Sequence, residues 1–166
     1  NILRNCYQDK NLGANIFLNK NIPIGAGLAG GSSNAAAALI GLNKLWGLNL
    51  DKSTLYEFAL RLGSDVPFFL EGGSQYCFGR GEVLEKYKFD SNFFLIILKN
   101  PKVSLSTPEI YKKYSDKFSK HYLHSEKEYE EKRNDLRSLD FTNDNFLNQR
   151  IKIRNDLQKI VQNDNQ

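Results

Sequence analysis

Residues 23–36 read Pro23-Ile24-Gly25-Ala26-Gly27-Leu28-Ala29-Gly30-Gly31-Ser32-Ser33-Asn34-Ala35-Ala36, a glycine-rich loop that runs straight into an alanine-rich stretch. Four glycines and one proline between Asn21 and Gly31 mark this segment as loop. Glycine lets the backbone approach an anion closely, with no Cβ in the way and with positive φ available. A helix starting behind such a loop points its unpaired N–H groups and the positive end of its dipole into it. Together these features make a phosphate site. Ser32 and Ser33 add hydroxyls able to bond phosphate oxygens or ligate Mg²⁺. A plain strand-to-helix connection is the structural alternative, and it needs fewer glycines than stand here.

Working outward, Ala14, Ile16 and Leu18 alternate with Asn15 and Asn19, which predicts a strand over 13–19. Downstream of the loop, Ser32 and Ser33 are expected to cap a helix rich in Ala and Leu that runs to Trp46 and ends at Gly47. A second amphipathic helix follows. Its cap is Asp51 or Ser53, it gathers Leu55, Phe58, Ala59 and Leu62 on one face, and Gly63 lies past its end. Asp65–Leu70 opens tightly at Pro67 and is strongly apolar. Beyond Gly72-Gly73, residues 74–78 and 82–86 read as short strands joined through Gly79 and Gly81.

Phe93–Leu98 is a continuous apolar run, expected as a buried strand. Thr107-Pro108-Glu109 is a helix start with cap, proline and first-turn acid. From Ser115 to Arg137 the composition turns to Lys, Glu, Tyr and Ser, a solvated helix or mobile insertion. Leu157, Ile160 and Val161 carry a last apolar period. Helices and strands mix without regular βαβ alternation, which favours an α+β architecture over a doubly wound sheet.

Composition sets outer bounds. A chain of 166 residues holds one domain or pieces of two. Its net charge of +4 is too mild for a nucleic-acid binder, although it would help attract an anionic nucleotide. Cys6 and Cys77 lie far apart with no CxxC or histidine spacing, so both read as ordinary thiols rather than a disulfide or zinc site. No apolar run is long enough for a membrane-spanning helix, and no signal-peptide pattern opens the chain. With no methionine and a start at Asn1, the sequence is expected to be an internal part of a longer protein.

Several loop families share this glycine spacing. Gly25, Gly27 and Gly30 match G-x-G-x-x-G, the dinucleotide fingerprint, but that pattern needs a βαβ unit with an acidic strand end about 20 residues on. Here a second helix follows, and Asp51 sits at its cap. A Walker loop needs lysine before its Ser/Thr, and none precedes Ser32. Protein kinases would add V-A-I-K, H-R-D and D-F-G elements, which are missing.

The run does resemble the phosphate loop of the GHMP kinases, P-x-x-x-G-L-x-S-S-A. Gly31 is an additional glycine, and Asn34 stands where most members have alanine. Both departures resemble one branch, which phosphorylates a cytidine diphosphate-linked methylerythritol on the non-mevalonate route to isoprenoid precursors. Leu62-Gly63-Ser64-Asp65-Val66-Pro67-Phe68-Phe69-Leu70-Glu71-Gly72-Gly73 and Gly79-Arg80-Gly81-Glu82 agree with that branch, and Asn155-Asp156-Leu157 is a weaker fourth block. The ordered resemblance covers residues 13–110, and its first two blocks are highly specific.

The resemblance implies a partial GHMP kinase fold: 1–90 as part of the N-terminal ATP-binding domain, and 91–166 as the start of the C-terminal domain. It implies ATP and Mg²⁺ as cofactors, a small-molecule acceptor, no nucleic-acid or membrane partner, and a place in the bacterial cytoplasm or plastid stroma. Residues Pro23, Ile24, Gly25, Ala26, Gly27, Leu28, Ala29, Gly30, Gly31, Ser32 and Ser33 would wrap the ATP phosphates. Lys20 and Pro23 would line the adenine pocket, and Asn34 would be a further nucleotide contact. Lys20 can equally be an exposed strand-end lysine. Asp65 would be the general base; read from its turn alone, it can also be a helix cap. Metal ligands are open, with Ser32 or Ser33 the candidates, while Glu71 and Glu82 read as surface carboxylates. The family's catalytic lysine, its neighbouring asparagine and its Tyr-His base-holding pair are expected ahead of Asn1, and Lys10 is not that lysine. A further glycine-rich motif is expected beyond Gln166.

Overall fold

The computed structural model describes residues 2–6, 11–88, 94, 96–98, 105–139 and 155–163. The chain divides into two compact units, Asn1–Lys88 and Phe89–Gln166. Lys10, Phe93, Leu95 and the side chain of Cys6 lie outside the described residues.

The first unit is organised around α2 (Gly30–Leu45). Its preceding residue, Ala29, sits in the left-handed region at φ +50°, and no side chain caps the helix. This corrects the expectation for Ser32 and Ser33, which fall inside the first turn instead of before it. The ladder begins with Ser33 N–H donating to the Ala29 carbonyl at 3.0 Å, so the N–H groups of Gly30, Gly31 and Ser32 precede the first intrahelical bond. At the other end, Gly47 N–H bonds the Lys44 carbonyl and Leu48 N–H the Asn43 carbonyl. Gly47 takes φ +59°, and buried Leu48 folds back onto the cluster that includes Leu42, a Schellman ending. The Asn43 side chain holds the next turn by bonding both the N–H and the carbonyl of Leu50.

Two further helices pack on α2 and on each other: α3 (Lys52–Leu62) and the short α4 (Val66–Glu71). Asp51 caps α3 by accepting Thr54 N–H at 2.9 Å and the Ser53 hydroxyl at 2.8 Å, so the cap is Asp51 and Ser53 supports it. The core gathers Ala36 and Leu39 of α2, Phe58 and Ala59 of α3, Val66 of α4, Leu48, and Leu3 of α1 (Ile2–Cys6). Sequence reading of 2–6 made no assignment, so Leu3 is an addition to the core. Leu55 is half-buried as its face requires, whereas Leu62 is exposed.

Strands β1 (Gln75–Phe78) and β2 (Val83–Lys86) form an antiparallel hairpin with Gln75 opposite Lys86 and Phe78 opposite Val83. Each is one residue shorter than its sequence signature. Among the described residues this hairpin is the whole sheet. The 13–19 strand is therefore not formed: those residues join no ladder, and Ile16, Phe17 and Leu18 are exposed, Phe17 to 94%. Trp46 Nε1–H bonds the Gly13 carbonyl at 3.1 Å and Lys20 Nζ bonds the Gly30 carbonyl at 3.3 Å, tying 13–20 to both ends of α2. A 16-residue helix is about 24 Å long, and seven residues nearly extended cover about the same distance.

In the second unit, α5 (Thr107–Phe118) carries Pro108 in its first turn, but its cap position is Ser106, without a side-chain bond, rather than Thr107. A 3₁₀ turn (Ser119–His121) leads to α6 (Glu126–Arg137), which starts with a reciprocal capping box between Ser125 and Glu128. The α6 surface is laced by Arg133 with Glu126 and Glu130, and by Arg137 with Glu130, the solvated helix its composition predicts. The last helix, α7 (Gln158–Asn163), buries Ile160 and packs against α5. Of the expected 93–98 strand, the described residues Phe94, Ile96, Ile97 and Leu98 have no regular structure and are exposed. A buried strand needs paired neighbours, and none lies beside them among the described residues. Among the described residues, helices with one small sheet give a mixed α+β content.

Candidate nucleotide site

The loop before α2 is built as an anion cradle requires. Gly25 and Gly27 both take left-handed φ, +66° and +71°, and a Cβ placed on either would meet no atom within 4 Å. These two positions present bare backbone to open space, which is the room a phosphate needs. Gly30 is different: a Cβ there would lie 3.3 Å from Ile22 Cγ2 and 3.4 Å from Lys20 Nζ. Its lack of a side chain lets the segment leading into the loop close against the helix start. Lys20 is half-buried, with its ammonium on the Gly30 carbonyl, so it belongs to the loop's frame and is not a loose strand-end residue.

Ser33 and Ser32 separate here. The Ser33 hydroxyl donates to the Gly30 carbonyl at 3.1 Å, turned back along its own helix. Ser32 and Asn34 are half-buried in the first turn, while Pro23, Ile24 and Leu28 are exposed and Ala26 and Ala29 half-buried. Among the described residues there is no cluster of three or more His, Cys, Asp or Glu side chains that could hold a metal ion. A cation bound here would need oxygens from the ligand itself.

Asp65 occupies the residue before α4, at φ −86° and ψ −11°, and its side chain makes no capping hydrogen bond. The carboxylate is exposed. Val66, next to it, is buried in the same cluster as Ala36 of α2, so the core that anchors the loop helix also anchors the Asp65 turn. The β1–β2 turn approaches from another side. A Cβ on Gly81 would be 3.3 Å from the Ser64 carbonyl oxygen and 3.7 Å from Asp65 Oδ1. Burial, and secondarily the charge of Asp65, pushes the Cys77 thiol of β1 above its ordinary value.

Two acids gain definite roles. Glu71 is paired with Lys52 and, at 3.3 Å, with Lys86, joining α3, α4 and β2. Lys52 foremost holds its carboxyl below the usual glutamate range. Glu82 closes its own turn by accepting Arg80 N–H at 2.6 Å, and the Tyr56 hydroxyl of α3 donates to its carbonyl. The Gly-Arg-Gly-Glu spacing signalled a turn, but nothing in the sequence pointed to Tyr56.

Residues 1–73 match the family model described as the GHMP kinases N terminal domain. More particularly, the chain is 56% identical over 165 residues to the 4-diphosphocytidyl-2-C-methyl-D-erythritol kinase of Prochlorococcus marinus subsp. pastoris, covering 99% of the chain and 53% of that relative. It is 60% identical over 153 residues to the protein of the same name from Prochlorococcus marinus strain MIT 9215, covering 92% of the chain and 49% of the relative. The chain thus spans about half the length of the curated relatives it matches. The resemblance read from the loop and the Asp65 block is borne out. Among the described residues, no helix is long and apolar enough to cross a membrane.

Proposed function

We propose that this chain supplies the ATP-phosphate loop and the general base of a kinase that phosphorylates the 2-hydroxyl of 4-diphosphocytidyl-2-C-methyl-D-erythritol. The observation that carries the reading is a glycine cradle open at Gly25 and Gly27, fixed through α2 to a turn whose Asp65 carboxylate is exposed and not used as a cap. The loop residues 23–33 hold the phosphates through backbone N–H groups, with Asn34 and Lys20 supporting the nucleotide end. Asp65 takes the proton of the acceptor hydroxyl as its oxygen bonds to the γ-phosphorus. The bond from that phosphorus to the bridging oxygen breaks, and ADP leaves with the electron pair. Such transfers depend on positioning and electrostatic stabilisation more than on covalent help from the protein.

Mg²⁺, when bound with ATP, supplies charge neutralisation across the phosphates. Ser32 or Ser33 would supply a protein oxygen for it; the Ser33 hydroxyl donates to the Gly30 carbonyl and keeps its lone pairs for a cation. The names of the relatives support the acceptor, and so do Gly31 and Asn34. The same reading implies a cytoplasmic or stromal enzyme acting on a small molecule.

A hybrid in which these 166 residues replace the matching stretch of the Prochlorococcus marinus relative tests the reading. Offered ATP with the cytidine diphosphate-linked alcohol, homoserine or mevalonate in turn, it should phosphorylate only the first. Preference for either of the others would move the chain to a different GHMP kinase. ATP binding with no turnover of any alcohol would make it a nucleotide-binding module.

A further inference from the structure

We propose that the Gly79–Glu82 turn is a positioning device for Asp65, with Gly81 seated against the Ser64-Asp65 backbone and Glu82 and Tyr56 locking the turn in place. The proposal rests on Asp65 being the base. Three contacts carry it, two made by residues of the turn itself and one by Tyr56 of α3.

Gly81 has φ +111°, a region L side chains rarely enter, and its Cα faces the Ser64 carbonyl so closely that a methyl group would stand 3.3 Å from that oxygen. The obstacle is backbone and cannot swing aside. Asp65 Oδ1 lies on the same side, 3.7 Å from that methyl position. Glu82 then fixes the turn from within. Its carboxylate accepts Arg80 N–H at 2.6 Å, and it lies so near Gly79 that a Cβ there would sit 2.8 Å from Oε1. Tyr56 fixes the turn from outside, through its hydroxyl on the Glu82 carbonyl. Tyr56 stands two residues before the buried Phe58-Ala59 pair of α3, so the turn is referred to the same core that holds Val66. An exposed carboxylate at the head of a six-residue helix gains a fixed place from this arrangement. A base displaced by about 1 Å can cost ~10²-fold in rate.

Cys77 offers a readout independent of catalysis, since the charge of Asp65 helps raise its thiol. In the chain itself, the pH dependence of Cys77 alkylation is followed by peptide mass spectrometry, which separates it from Cys6. Asp65→Asn should lower the apparent thiol pKa. In a Gly81→Ala background the same replacement should change it little, because the carboxylate has moved. Tyr56→Phe, which removes one hydroxyl and leaves the core intact, should weaken the coupling in the same direction. Glu82→Gln, which can still accept the Arg80 N–H, should retain it, and Glu82→Ala should not. An Asp65–Cys77 coupling unchanged in Gly81→Ala and Tyr56→Phe overturns the proposal.

In the hybrid kinase, Gly81→Ala and Tyr56→Phe should lower kcat by roughly tenfold to a hundredfold while leaving KM for ATP unchanged. A rise in KM with kcat intact would overturn the positioning role. If Asp65→Asn itself turns over normally while the thiol coupling still depends on Gly81, the reading of Asp65 as base fails and the structural linkage stands.

Discussion

Gly27 illustrates what a single residue contributes here. Its φ of +71° and the open space beside it mean that a side chain would fit the free protein yet intrude on the ligand. Gly27→Val should therefore strain the backbone by roughly 1–2 kcal/mol and weaken ATP binding to the hybrid about tenfold or more, a change calorimetry can read. ATP affinity equal to that of the unsubstituted hybrid would remove Gly27 from the cradle. Such positions are legible in sequence because the demand for glycine is local. Ala29 is the counterexample: its left-handed φ of +50° displaces the helix start from the serines to Gly30, and alanine gives no warning of it. Lys20 was open between two readings, and only the fold brings its ammonium to the Gly30 carbonyl.

At the scale of elements, signals carried by neighbours in the chain were readable. The Asp51 cap, the Gly47 ending and the β1–β2 hairpin all depend on residues within a few positions of each other. The 13–19 alternation predicted a strand that does not form, because pairing requires a partner that alternation cannot name. Glu71 was unreadable for the same reason, since Lys52 and Lys86 reach it from α3 and β2.

That clasp has a pH signature. The folded carboxyl titrates below the ordinary glutamate value of 4.5, so its contribution is in place at neutral pH and is lost as pH falls through that value toward the folded one. Glu71→Gln should cost less than about 1 kcal/mol near neutrality, as partly solvated pairs do. In thermal melts the difference from the parent chain should vanish once both states are protonated. A difference that persists unchanged in acid would show that the pair is not its source.

Over the whole molecule, the proposed cradle and the proposed base are separate pieces of sequence tied to one core through Ala36 and Val66. Read from its turn alone Asp65 is a helix cap, while the resemblance implies a general base; its exposed carboxylate, which makes no capping hydrogen bond, supports the proposed base. The central claim is that the loop holds ATP while Asp65 acts only in the transfer. The direct measurement compares the hybrid kinase with its Asp65→Asn variant, following both ATP affinity and phosphate transfer to the cytidine diphosphate-linked alcohol. The account predicts unchanged ATP affinity with turnover reduced by ~10²–10⁴-fold. Turnover near that of the unsubstituted hybrid would contradict it.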